Sequence, residues 1–86
     1  MALNNKQRKT LELIFTEPVP ANINWQDIES LFTALGAMIS EGKGSKISVT
    51  LNGRVFIYHR PHPQKETDKR AVKKVREVLQ EAGIEP

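Results

Sequence analysis

The 86-residue chain contains no cysteine. That removes disulfide bracing, thiolate metal sites and thiol catalysis together, and it fits a reducing compartment. Also missing is any apolar run approaching the roughly 20 residues of a membrane helix. Asn and Lys follow close behind Met1 where a secretory segment would carry an apolar core. Internal repeats and low-complexity stretches are lacking too. These absences lead us to expect a soluble, cytoplasmic single domain over residues 1–86. A chain this short buries only a little over half of the surface its unfolded form exposes, so its core must be efficient.

In the middle of the chain the scarce commodity is acid. From Lys43 to Arg76, ten basic residues stand against Glu66 and Asp68, a local balance of +8 on a chain whose net charge is +3. Both flanks are negative. Such a block is the footprint of a protein that binds a phosphate backbone, and it is also what a solvated lysine-rich surface looks like. Composition does not separate the two.

The order of elements follows from periodicity. Leu11, Ile14 and Phe15 have helical spacing and predict a short helix from Asn4 to about Thr16, ended by Glu17-Pro18-Val19-Pro20. Residues 1–20 read as an added helix and connector preceding a core over 24–84. Asn24 can cap a second helix, with Ile23 and Ile28 at staple spacing; Ile28, Leu31, Phe32 and Leu35 form its apolar stripe and Gly36 its stop. Trp25 and Phe32 could stack on bases, but their helix positions favour burial. A short extended run, Ala37–Ser40, leads through a glycine-containing turn into the alternating segment 46–52.

Asn52-Gly53 is a two-residue hairpin signal, because both central residues of a type I′ turn need positive φ. Counting outward from it opposes Leu51 to Arg54, Val49 to Phe56 and Ile47 to Tyr58 on the face the helices should cover. The other face should carry Thr50 with Val55, Ser48 with Ile57 and Lys46 with His59. Val55 and Ile57 would then offer apolar surface to a partner or a second copy, unless the first helix covers them.

Pro61 and Pro63 stop the strand, and a final helix begins after Thr67 or Asp68, buries Val72, Val75, Leu79 and Ala82, and ends at Gly83. Lys69, Arg70, Lys73, Lys74 and Arg76 crowd its first half, where cations oppose the helix dipole; an anionic ligand would account for them. We expect an α+β domain of order α-α-β-β-β-α, with a three-stranded antiparallel sheet and its helices on one face.

The densest chemistry is Tyr58-His59-Arg60-Pro61-His62-Pro63. Imidazole titrates near neutrality and can take the proton of a ribose 2′-hydroxyl, while Arg and Lys can stabilise the charge that develops on phosphorus. The plain alternative is two polar histidines at a strand end. A metal site built from His59, His62 and Glu66 lacks a clear ligand set, and no cofactor is implied. Gly42-Lys43-Gly44-Ser45-Lys46 is not a P-loop, since it opens a strand where a P-loop opens a helix. Lys43, Ser45 and Lys46 can still meet a phosphate.

A core-facing helix, Gly44-Ser45 opening a strand, the Asn52-Gly53-Arg54 hairpin, the histidine-proline segment and the closing Val78-Leu79-Gln80-Glu81-Ala82-Gly83-Ile84 together resemble the HicA family of toxin-antitoxin proteins, over about Trp25 to Ile84. That resemblance implies a fold similar to double-stranded RNA-binding domains, messenger RNA cleavage without the ribosome, and restraint by a HicB-like antitoxin. Typical members place the catalytic histidine directly after the glycine-serine pair. Here Lys46 stands there, and an ordinary lysine, with a pKa of about 10.4, is a poor base at neutral pH.

Three readings follow. The activity is lost, or the chain only binds RNA, or a relocated site uses His59 as base and His62 as acid or alternative base, with Lys46 and Arg60 holding phosphate on the open face. Lys43, Ser45, Lys69, Arg70 and Lys73 complete the expected RNA contacts.

Overall fold

A computed structural model describes residues 3–60 and 66–86. His62 and its neighbours in 61–65 lie outside the described residues. The elements run α1 (Asn5–Ile14), α2 (Trp25–Ala34), β1 (Met38–Glu41), β2 (Lys46–Leu51), β3 (Arg54–His59) and α3 (Lys69–Glu81). This is the expected α-α-β-β-β-α order, and the sheet is antiparallel in the order β1-β2-β3. Among the described residues no helix is long and apolar enough to cross a membrane.

Each helix starts on a side-chain cap that satisfies an otherwise unpaired N–H. Asn4 accepts from the Gln7 amide at 2.7 Å while Gln7 returns a bond to the Asn4 N–H, a reciprocal capping box. The Asn24 side chain accepts from Gln26. At α3 the cap is Asp68, not Thr67; Thr67 is buried, and its N–H donates to the Ile23 carbonyl at 2.7 Å. Asn24 and Glu66 form an isolated antiparallel bridge, so the chain just before α3 is stitched to the chain just before α2.

The hairpin register is the expected one at every pair. Leu51 opposes Arg54, Val49 opposes Phe56, Ile47 opposes Tyr58, and Lys46 opposes His59 across the strands. Asn52 and Gly53 both take positive φ, as a type I′ turn requires. The short strand β1 ends one residue later than expected. Ala37 is still tied to the helix end through its N–H to the Phe32 carbonyl, so pairing begins at Met38 opposite Thr50.

Ile47, Val49, Leu51, Phe56 and Tyr58 point into the core, where they meet Ile28, Leu31 and Phe32 of α2, Leu11 and Ile14 of α1, and Val72, Val75 and Leu79 of α3. Three helices therefore cover one face. Arg76, counted by sequence as part of the basic block, fastens them together. Its guanidinium donates to the carbonyls of Ile14 at 2.9 Å and Thr16 at 3.0 Å and meets the Glu17 carboxylate, so α3 satisfies the unpaired end of α1. On the opposite face of the sheet Met38, Val55 and Ile57 remain exposed, and among the described residues α1 does not cover them.

Candidate nucleic-acid interface

The open face is built from alternate residues of three strands. Its rows read Met38–Thr50–Val55, then Ser40–Ser48–Ile57, and at one corner Lys46–His59. Beside that corner the chain turns through Gly42–Ser45. Gly44 takes φ +64°, and the Gly42 N–H bonds to the Lys46 carbonyl at 2.8 Å. The aliphatic stem of Lys46 lies along Gly42, within about 3.5 Å of where a side chain there would begin. The result is a shallow groove of ≈ 350 Å³ lined by Ser40, Gly42, Lys43, Lys46, Ser48 and Ile57. Two ammonium groups and two hydroxyls around an open groove are suited to phosphate oxygens.

Of the residues sequence reasoning placed here, Lys43 and Lys46 line the groove, and His59 stands opposite Lys46 on the neighbouring strand. Ser40 and Ser48 were not anticipated, although the same alternation that put Ile57 on this face puts them there. Ser45 directly precedes Lys46 in the turn, and its carbonyl accepts the Arg60 N–H at 2.9 Å.

Arg60 is not brought to the open face. One residue beyond His59, it points to the covered side, where its Nε and Nη2 both donate to the Glu29 carboxylate at 3.0 Å. Its Nη1 meets Glu41, and its guanidinium lies 4.8 Å from the centre of the Trp25 ring. Tyr58 donates its hydroxyl to the same Glu29 at 2.5 Å. The cause of the displacement is the two-residue strand period: a side chain adjacent to one on the open face belongs to the other face. Burial first, then the Glu29 hydrogen bond, pushes the Tyr58 hydroxyl well above the usual phenol range. Hydrogen bonds to Glu29 and then Glu41 raise the already basic Arg60 further.

This Glu29–Tyr58–Arg60–Glu41 network is what sequence reasoning missed. A signal for it existed: Trp25 and Glu29 are four apart on α2, next to the apolar stripe, and the hairpin register aims Tyr58 at the same layer.

Lys69, Arg70 and Lys73 lie on the exposed side of the first half of α3. No ion pair among the described residues engages them, nor Lys43 or Lys46. A larger groove, ≈ 590 Å³, opens at the start of α3, but Glu66 and Asp68 line it beside Lys69 and Arg70, which mixes the charge an anion would meet. The basic block thus divides. Arg54 pairs with Glu81 at 2.7 Å and Arg60 and Arg76 are held internally, whereas Lys43 and Lys46 line the sheet groove and Lys69, Arg70 and Lys73 stand exposed on α3.

Compared with known proteins, residues 25–84 match one family, described as the HicA toxin of bacterial toxin-antitoxin systems. No curated protein and no solved structure gives a significant match.

Proposed function

Because the chain belongs to the HicA family of bacterial toxins, which implies an antitoxin partner in a toxin-antitoxin system, we propose that it binds messenger RNA at the Lys46–His59 corner in the cytoplasm and cleaves it there. The observation that carries this reading is the cross-strand pairing of His59 with Lys46, the residue after Gly44-Ser45. An imidazole one strand over stands beside the position where the resemblance places the family histidine. In this reading the base lies on the neighbouring strand, beside the groove assigned to the phosphate.

In this scheme Lys46 and Lys43 bind the non-bridging oxygens of one phosphate, with the Ser40 and Ser48 hydroxyls beside them. His59 takes the proton of the adjacent 2′-hydroxyl, O2′ attacks phosphorus, and the bond to O5′ breaks. The products are a 2′,3′-cyclic phosphate and a 5′-hydroxyl, whose proton comes from an acid that we assign to His62. Lys69, Arg70 and Lys73 are assigned to more distant RNA. The apolar strip Met38, Val55 and Ile57 beside the corner is suited to an antitoxin that covers the site, or to a second copy of the chain.

A second reading, an RNA-binding protein that does not cut, is favoured by Lys46 itself, since it replaces the expected base with a phosphate ligand. The test is incubation of wild-type and His59→Ala/His62→Ala proteins with a long messenger RNA in EDTA, with analysis of the ends. Cleavage to cyclic phosphates that vanishes in the double variant supports the nuclease. Salt-sensitive binding without cleavage by the wild type selects the second reading.

A further inference from the structure

Among the described residues the His59 side chain enters no ion pair or hydrogen bond. It also stands at the last position of β3, where a strand is most prone to fray. What is fixed is the residue on either side of it. Tyr58 and Arg60 both point to the covered face, and both end on the carboxylate of Glu29, which takes three hydrogen bonds from them. The Glu29 side chain is only 14% exposed. Glu41 closes on Arg60 from the end of β1, and Trp25 lies under the guanidinium. The Arg60 N–H reaches the Ser45 carbonyl at the mouth of β2.

From this geometry we infer that Glu29 is a positioning residue for the open-face site. By clamping Tyr58 and Arg60 from α2 it holds the intervening backbone so that His59 projects opposite Lys46. It touches neither RNA nor the reacting atoms. The placement also accounts for a polar network in a small core that gains little stability from it, because a partly buried ion pair is expensive to desolvate and an apolar set of similar volume serves stability as well. Its effect is on geometry, and misplacing a reacting group by an ångström costs up to about 100-fold in rate.

The inference rests on the nuclease reading for its consequence but not for its test. The direct readout is the nuclear Overhauser contact between the Lys46 and His59 side chains in the full chain. In Glu29→Leu that contact should vanish, while the Thr50–Val55 and Ser48–Ile57 contacts farther along the hairpin persist. A role in stability alone would leave the contact intact in the molecules that remain folded. Single-turnover cleavage should fall about 10- to 100-fold with RNA affinity unchanged, since Lys43 and Lys46 stay on their own elements. Tyr58→Phe keeps the ring and deletes one of the three hydrogen bonds, so it should act in the same direction to a smaller extent; it decides the matter should Glu29→Leu not fold. Retention of the Lys46–His59 contact in the folded variants overturns the inference. Absence of cleavage by the wild type overturns the nuclease reading instead, and the Overhauser contact still decides the role of Glu29.

Discussion

On the covered side of β3, Phe56, Tyr58 and then Arg60 run into the helical layer, where the aromatic rings pack and both polar ends are met by Glu29. On the other side Val55, Ile57 and His59 are exposed to solvent, with only their cross-strand neighbours Thr50, Ser48 and Lys46 directly opposite them. The same six or seven residues thus face two environments that alternate every 3.4 Å or so. On the first side the Tyr58 hydroxyl and the Arg60 guanidinium are both paired and have structural work. On the second, apolar and basic groups stand unsatisfied side by side, a combination that suits a partner better than it suits an isolated domain. The difference teaches that basic character alone does not locate a binding surface: Arg60 and Lys46 are both cations at the same end of the hairpin, yet only Lys46 is available.

The comparison breaks most sharply on activity. His59→Ala should lower cleavage by about 10²- to 10⁴-fold, the span of a lost general base, while shifting the thermal midpoint little, because the residue is exposed. Loss of fold together with activity would mean that the open side is structural after all. Next in size is the contrast between Phe56→Ala and Val55→Ala. Phe56 is 4% exposed and stacks on Tyr58 with centroids 5.4 Å apart, so its truncation should cost about 3–5 kcal/mol in denaturant unfolding. Val55, 61% exposed, should cost no more than about 0.5 kcal/mol.

Most of this contrast was legible in the sequence. Alternation in 46–52 together with the Asn52-Gly53 turn determines the register, and the register alone assigns every hairpin side chain to a face; hence the Lys46–His59 pairing was readable without coordinates. The apolar stripes of α2 and α3 were readable for the same reason, one period per element. Arg60 and Arg76 were not, because a charge count weighs each arginine equally and is blind to a carboxylate or a helix end far away in sequence. Glu29 is 31 residues from Arg60, and the carbonyl of Ile14 is 62 from Arg76. Such partners become visible only when the helices are laid on the sheet, which local patterns do not dictate.

Arg60 and Lys46 also give a test in which the two sides exchange signatures. Arg60→Ala should lower stability by about 1–2 kcal/mol, since it strips a partly buried carboxylate of two charge-assisted hydrogen bonds, and it should leave the salt dependence of RNA binding as it was. Lys46→Ala should leave stability nearly unchanged and make the slope of log K against log salt shallower by about 0.7, one counterion's worth for a single strand. Equal slopes for wild type and Lys46→Ala would remove Lys46 from the phosphate site.

The smallest expected effect is at alkaline pH and concerns the covered side alone. Tyr58 is the chain's only tyrosine, so tyrosinate absorbance reports on it without interference. Its hydroxyl is held above the ordinary value of 10.0 by burial and by its bond to Glu29. A raised phenol favours the protonated form in the folded state, so its contribution to stability is complete below pH 10 and declines as pH rises beyond that, when the unfolded chain ionises and the folded one does not. The decline is bounded by about 1.4 kcal/mol per pH unit for one proton. Tyrosinate should therefore appear together with unfolding and not before it, and Tyr58→Phe should flatten the alkaline limb of the stability curve. Ionisation near pH 10 with the fold intact would show that the Tyr58–Glu29 bond opens readily, and that the covered side of β3 is less tightly held than its hydrogen bonds indicate.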